Sequence, residues 1–367
     1  MLYNAIVEIS FNLGCKFMSK DNKKSTTTAK KVFKGIGIAL LVIILSLVIL
    51  LVVPLITAQV SDGKEPDKAT ITNPYIVDGK ALVSAHRSGS DIAPENTMMA
   101  FKECTSAEDF NVDVFEFDLH ITKDGKLILL HDHTLDRTTN APEFFGQEDV
   151  EPSTKTYEEL RQLNFGEHFE DKDGNKPYVG LRGDDIPDDL RAVLLEDVLD
   201  FLIAHGDFKY VIEVKDGGEN GFRAVDMLHE TLVEKDLIDN VIFGTFKGDV
   251  TKYVDEHYPD MTRSASIKEV LQFYLAVGYG VEMKNENIKY DVLQIPANQF
   301  KVVQLGHPRF VNYAHRHNVA IQYWTINDHK DMVDLNNMGA DCIITDEPDA
   351  AYKIVNKTDD SSQVVEQ

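Results

Sequence analysis

The chain has little cysteine and little positive charge. Its three cysteines, Cys15, Cys104 and Cys342, stand too far apart for a disulfide framework or a zinc site. Cys104 follows an amphipathic stretch and Cys342 lies in an apolar one, so both read as small buried hydrophobes. Lys and Arg number 37 against 61 Asp and Glu, for a net charge of −24. The deficit is uneven: residues 1–34 carry a net +5, which leaves −29 on the remaining 333. A surface that acidic repels nucleic acid and anionic lipid headgroups, so no nucleic-acid partner is expected. An anionic substrate would need cations gathered locally to hold it. A Gly-rich phosphate loop after the first apolar run is also missing, which argues against an open dinucleotide-binding sheet.

What is present is an ordinary globular composition, 43% hydrophobic and 27% charged over 367 residues, enough for a sizeable core. Residues 35–58, "GIGIALLVIILSLVILLVVPLITA", carry no charge. As a helix they would run about 36 Å, enough to cross a hydrocarbon layer of roughly 30 Å. Seven lysines precede the segment and acids dominate after it. The positive-inside rule then predicts a single-pass protein of the cell membrane, with its N-terminus cytoplasmic and the rest extracellular. A signal peptide cut at Ala58 is the alternative, although the apolar run is long for that role. Either Met1 or Met18 would serve as the start. The expected organisation is a basic tail (1–34), a transmembrane helix (35–58), a polar linker (59–79), a barrel domain (80–355) and a polar tail (356–367).

From residue 81, short apolar runs alternate with helical patterns. The runs are "ALVSA", "VFEFDL", "KYVIEV", "NVIFGT", "TRSAS", "DVLQI", "VAIQYW" and "CIIT". Stretches such as "ENTMMAFKEC", "VDMLHETLVEK" and "IKEVLQFYLAVG" fall between them. Eight strands alternating with helices predict an α/β fold, a closed parallel (β/α)₈ TIM barrel, with a doubly wound sheet as runner-up. One connection breaks the alternation. "TKDGK" between "VFEFDLHI" and "LILLHDH" is too short for a crossover helix, and Asp-Gly signals a hairpin. A two- or four-residue turn would pair residues whose numbers sum to 249 or 247, laying His131 beside Asp118 or Glu116. Residues 140–192 are rich in Asp, Glu, Gly and Pro. They read as an inserted flap over the barrel mouth, too polar to form a core of its own.

Glu116 and Asp118 are two apart on a strand, so both point to one face. Two carboxylates that close would raise each other's pKa unless a cation lies between them. Glu213 ends another strand with Lys215 two residues on. Three carboxylates around one point suit a hard divalent cation, Mg²⁺ or Ca²⁺. A solvated strand edge is the plainer account of Glu-x-Asp, weakened by the apolar residues that flank it. In a barrel, strand ends gather at one mouth. That would bring together His86, Arg87, Glu116, Asp118, His131, Glu213, Lys215 and Trp324, with Asn327, Thr345 and Asp346 at the ends of the last two strands. Such a set can handle a phosphodiester: cations neutralise a phosphate oxygen while one imidazole takes a proton and the other gives one.

The stretches "AHRSGSDIAPENTMMAF", "FEFDLHITKDGKLILLHDHTLDRTT", "VIEVK", "YWTIN" and "ITDEPD", in this order, resemble the glycerophosphodiester phosphodiesterase family over about residues 80 to 355. The resemblance implies a (β/α)₈ barrel that hydrolyses glycerophosphodiesters to glycerol 3-phosphate and an alcohol with one divalent ion. It implies His86 and His131 as the acid/base pair, and Glu116, Asp118 and Glu213 as metal ligands. Arg87 and Lys215 would hold phosphate, and Trp324 would wall the glycerol pocket or simply fill the barrel. Ser88 departs from the family, which usually has Gly after His-Arg. Glu95, in "PENT", reads as a loop-shaping residue or a substrate contact, and His120 as a partner of the acids or a plain barrel histidine. Two rivals stand beside this reading: a related barrel phosphodiesterase acting on lysophospholipid, sphingolipid or inositol lipids, and a non-catalytic barrel that binds surface polymers.

Overall fold

The alternating runs fold as parallel strands because each short apolar segment is followed by a helix that must carry the chain back over the sheet. The computed structural model describes residues 38, 40–42, 53–54, 56–58, 60, 63–299 and 303–356. Its strands are β1 (Leu82–Ala85), β2 (Val114–Ile121), β3 (Leu127–Leu129), β4 (Lys209–Val214), β5 (Val241–Gly244), β6 (Val292–Ile295), β7 (Asn298–Gln299), β8 (Val303–Gln304), β9 (Ala320–Tyr323) and β10 (Cys342–Thr345). Seven of them run side by side in the order β5-β4-β2-β1-β10-β9-β6. The short β7 and β8 pair only with each other.

The ring closes through "TRSAS", expected as a full strand. It contributes two parallel bridges, Phe243 to Arg263 and Ser264 to Val292, rather than a ladder. The reason is local. Ser266 and Glu269 form a capping box that starts the helix Ile267–Tyr279 at once, leaving two residues free to pair. Buried Arg263 spends its guanidinium on Asp255 and Glu269 beneath this arc. The result is a near-closed parallel barrel.

The hairpin forms as expected, but in neither expected register. Leu119 pairs with Leu129, His120 with Ile128 and Ile121 with Leu127, so paired numbers sum to 248. The loop has three residues, Lys123-Asp124-Gly125, with Thr122 N–H donating to Lys126 at 2.9 Å and Gly125 at φ 72°. A three-residue hairpin loop takes one left-handed residue, and Gly supplies it. Leu130 N–H still donates to the Asp118 carbonyl at 3.1 Å, so this register sets His131 across from Phe117 rather than Asp118 or Glu116. It leaves the strand end and turns into the mouth.

The insert is also corrected. Leu135, Ala141, Val150, Tyr157, Leu160, Leu163 and Phe165 form a satellite core with Ile128 and Leu130 of the hairpin. Its polar composition conceals apolar residues that borrow a wall from the barrel. Residues 140–192 contribute nothing to the lining of the central cleft described below.

Residues expected to be a plain linker close the barrel floor. Tyr75 is buried in the interior cluster with Val114, Val211, Ile242 and Val292. Asn73 Nδ2 donates to the carbonyls of Asp291 and Asn318 at 2.8 and 3.0 Å. Residues 1–34, most of 35–58 and residues 357–367 lie outside the described residues. Among the described residues no helix is long and apolar enough to cross a membrane. The carbonyls of Thr57 and Val60 accept Arg309 Nη1 at 2.6 and 2.8 Å.

Candidate active site

Every residue of β2 is buried, which removes the solvated-edge account of Glu116 and Asp118. The β2–β4 register sets Asp118 directly beside Glu213. Glu116, Asp118 and Glu213 each offer an oxygen within 4.8 Å of the others. These three, with His86, Arg87, His131, Lys215 and Trp324, all line one cleft at the strand ends. Tertiary structure therefore brings together all eight residues singled out from the sequence.

The first loop explains how. After β1 the chain passes through left-handed conformations at Arg87, Ser88 and Gly89 (φ 48°, 71° and 92°). This turns the Arg87 N–H onto Glu116 Oε2 at 2.7 Å. Asn96, also left-handed at φ 55°, donates from Nδ2 to Asp118 Oδ2 at 3.0 Å. Thr97 caps the helix Met98–Ser106 by accepting the Ala100 N–H. Ser88 thus occupies a conformation that costs a side chain roughly 1–2 kcal/mol. Its buried hydroxyl has no hydrogen-bond partner among the described residues. Ser88→Gly is expected to stabilise the fold by about 1 kcal/mol, since relief of that strain exceeds the roughly 0.5–1 kcal/mol lost to glycine's freedom when unfolded. Thermal melting checks it, and a fall in Tm would mean the hydroxyl is used.

Each histidine has a carboxylate behind it. His86 Nδ1 lies 2.6 Å from Asp346 Oδ1, and Asp346 Oδ2 accepts Asn327 Nδ2 at 2.6 Å. His131 Nδ1 lies 2.6 Å from Asp132 Oδ1. Burial alone would lower both imidazoles. For His86 the negative charges of Glu116 and Asp346 outweigh it, and its pKa is raised. For His131 burial wins, helped by Lys215, and its pKa is lowered. Groups pushed in opposite directions are suited to opposite proton-transfer roles. His120 is bonded to Asp216 at 2.9 Å, the plain-barrel account, and exposed His133 lies near Glu151.

The acids behave as a cation site would. Burial, then the Asp118 charge, pushes Glu116 up to about 7. Burial raises Glu213 too, against the pull of Lys215. Burial would also raise Asp118, but Lys215 and His131 hold it below the usual range. Lys215 Nζ lies 2.9 Å from both Asp118 Oδ1 and Glu213 Oε1. The ammonium thus pairs with both carboxylates at once and partly offsets their mutual repulsion. Three carboxylates with mutually close oxygens, an all-oxygen donor set, fit a hard divalent ion.

Several partners were not legible beforehand. Asp132 and Asp346 lie in the quoted motifs, but nothing in their spacing tied them to a histidine. Phe246 packs its ring edge-on against Trp324 at 5.9 Å and joins the cleft wall, half exposed. It follows β5 with no pattern to mark it.

Residues 86–350 match the model of the glycerophosphoryl diester phosphodiesterase family. A glycerophosphodiester phosphodiesterase of Caldanaerobacter subterraneus is 29% identical over 280 residues, spanning 76% of this chain and 99% of that protein. One of Bacillus subtilis is 27% identical over 325 residues, 86% of this chain and 97% of its own. Among solved structures, an Oleispira antarctica phosphodiesterase in complex with the product sn-glycerol-3-phosphate superposes with a TM-score of 0.56 at 19% identity, covering 76% of this chain and 97% of that one. A fold shared with such structures, a cleft lined by two imidazoles and a three-carboxylate cluster, and a family match over residues 86–350 converge: the chain belongs to the glycerophosphoryl diester phosphodiesterase family.

Proposed function

We propose that this protein is a glycerophosphodiester phosphodiesterase, releasing glycerol 3-phosphate and an alcohol by acid/base catalysis between His131 and His86. The observation that carries it is the single cleft holding both histidines and the three acids. His131, with its lowered pKa, takes the proton of the attacking oxygen. His86, raised and backed by Asp346, gives one to the leaving alkoxide. Arg87 and Lys215 receive the phosphate. Arg87 Nε is buried without a hydrogen-bond partner among the described residues, a donor ready for a phosphate oxygen. Trp324 and Phe246 form the apolar wall for the glycerol carbons. Glu116, Asp118 and Glu213 would hold one Mg²⁺ or Ca²⁺, which when bound supplies positive charge against a non-bridging phosphate oxygen. The charge-free segment 35–58 and the lysines before it support a membrane-anchored protein whose barrel lies outside the cell.

The test is a panel of glycerophosphodiesters and lipid phosphodiesters, run on intact cells with substrates that cannot cross the membrane. Glycerol 3-phosphate should appear without lysis. Exclusive turnover of lipid substrates would transfer the protein to the rival specificity, and product only after lysis would overturn the extracellular placement.

A further inference from the structure

Arg137, in the loop after the hairpin, joins the phosphate side of the cleft to the proton-transfer side. Its Nη1 and Nη2 lie 2.9 and 2.7 Å from the two oxygens of Glu95, and its Nε lies 2.5 Å from Asp132 Oδ2. Glu95 also accepts Arg87 Nη1, at 3.2 and 3.3 Å from its two oxygens. Asp132 holds His131 Nδ1 through its other oxygen at 2.6 Å. The chain of contacts therefore reads Arg87, Glu95, Arg137, Asp132, His131, with one guanidinium at its centre. Only a planar fork with donors on two edges can meet one carboxylate bidentately and another from the side. Glu95 belongs to the loop between β1 and the first helix, and Asp132 to the loop after β3. Two separate loops thus have their functional side chains set by one residue. A lone Asp132 would leave His131 tethered to a carboxylate free to rotate, and a lone Glu95 would leave Arg87 with a mobile partner.

We propose that Arg137 is a positioning residue that aligns the phosphate-binding Arg87 through Glu95 and the imidazole of His131 through Asp132. This rests on the phosphodiesterase reading above. It assigns Glu95 a role in holding two arginines, in place of a substrate contact.

The experiment measures kcat, KM and Tm of the full chain on a glycerophosphodiester and on bis(p-nitrophenyl) phosphate. Arg137→Gln should lower kcat by about 10- to 100-fold and raise KM several-fold, on the scale of misplaced catalytic groups. Arg137→Lys keeps the charge but not the fork, and should recover only part of the loss. Asp132→Asn should act mainly on kcat. Glu95→Gln should raise KM and lower kcat, and its effect on kcat should vanish in the Arg137→Gln background, where the path to His131 is already cut. If Arg137→Gln and Arg137→Lys shift Tm while kcat and KM stay within twofold, the residue is only structural and the proposal fails. An unchanged Glu95→Gln effect in the Arg137→Gln background also defeats it. Wild-type turnover of bis(p-nitrophenyl) phosphate alone would overturn the substrate assignment yet leave the positioning role readable; inactivity on both would end both.

Discussion

Removal of divalent metal with EDTA is expected to abolish turnover, by at least about 10³-fold, while the barrel stays folded. Charge stabilisation by a bound ion is worth several kcal/mol of barrier, and each 1.4 kcal/mol is about tenfold. Three mutually close carboxylates form an all-oxygen donor set suited to a hard divalent ion. The fold should survive because Lys215 already lies 2.9 Å from Asp118 and from Glu213, partly offsetting their repulsion. Back-titration with Mg²⁺ and with Ca²⁺ should restore activity and rank the two. Glu116→Gln should behave like the chelated protein and resist rescue. Turnover that persists in chelator would remove the ion from the reaction and reduce the acids to a buried structural cluster.

His131→Ala is expected to lower kcat by about 10²-fold or more, the usual contribution of a positioned proton acceptor, with Tm nearly unchanged. Its side chain is 29% exposed, so truncation opens no core cavity. The pH profile gives the sharper reading. A base must be unprotonated, so activity rises through the pKa of His131, which lies below the ordinary 6.5. An acid must be protonated, so activity falls through the pKa of His86, which lies above it. The wild-type plateau should therefore bracket pH 6.5, and His131→Ala should lose the acidic limb while keeping the alkaline one. A loss under tenfold, or a surviving acidic limb, would take His131 out of the proton path.

The places where reading by pattern failed share a physical cause. The hairpin was visible in Asp124-Gly125, but its register depended on a three-residue loop, and loop length is set by which residue accepts a left-handed conformation. "TRSAS" looked like a strand, but the capping box at Ser266 ended it after two pairs. The insert looked too polar for a core because its apolar residues are scattered among polar ones and complete their cluster against Ile128 and Leu130 of the hairpin. The helices Gly248–His257, Pro308–Arg316 and Pro348–Asn356 were not singled out, although each carries an amphipathic pattern once its ends are known. Tyr75 was assigned to a linker, and only the closed ring gives it a floor to seal.

The sequence by itself determined the barrel, the hairpin's existence, the family and the eight residues of the cleft, because strand alternation and motif spacing are local and survive in one dimension. It could not determine which carboxylate backs which imidazole. Asp346 meets His86 across 260 positions, and Glu95 meets Arg137 across 42. Such pairings depend on how strand ends splay around a closed ring, and so do the opposed shifts of the two histidines, which arise from burial and charge at distances that only folding creates.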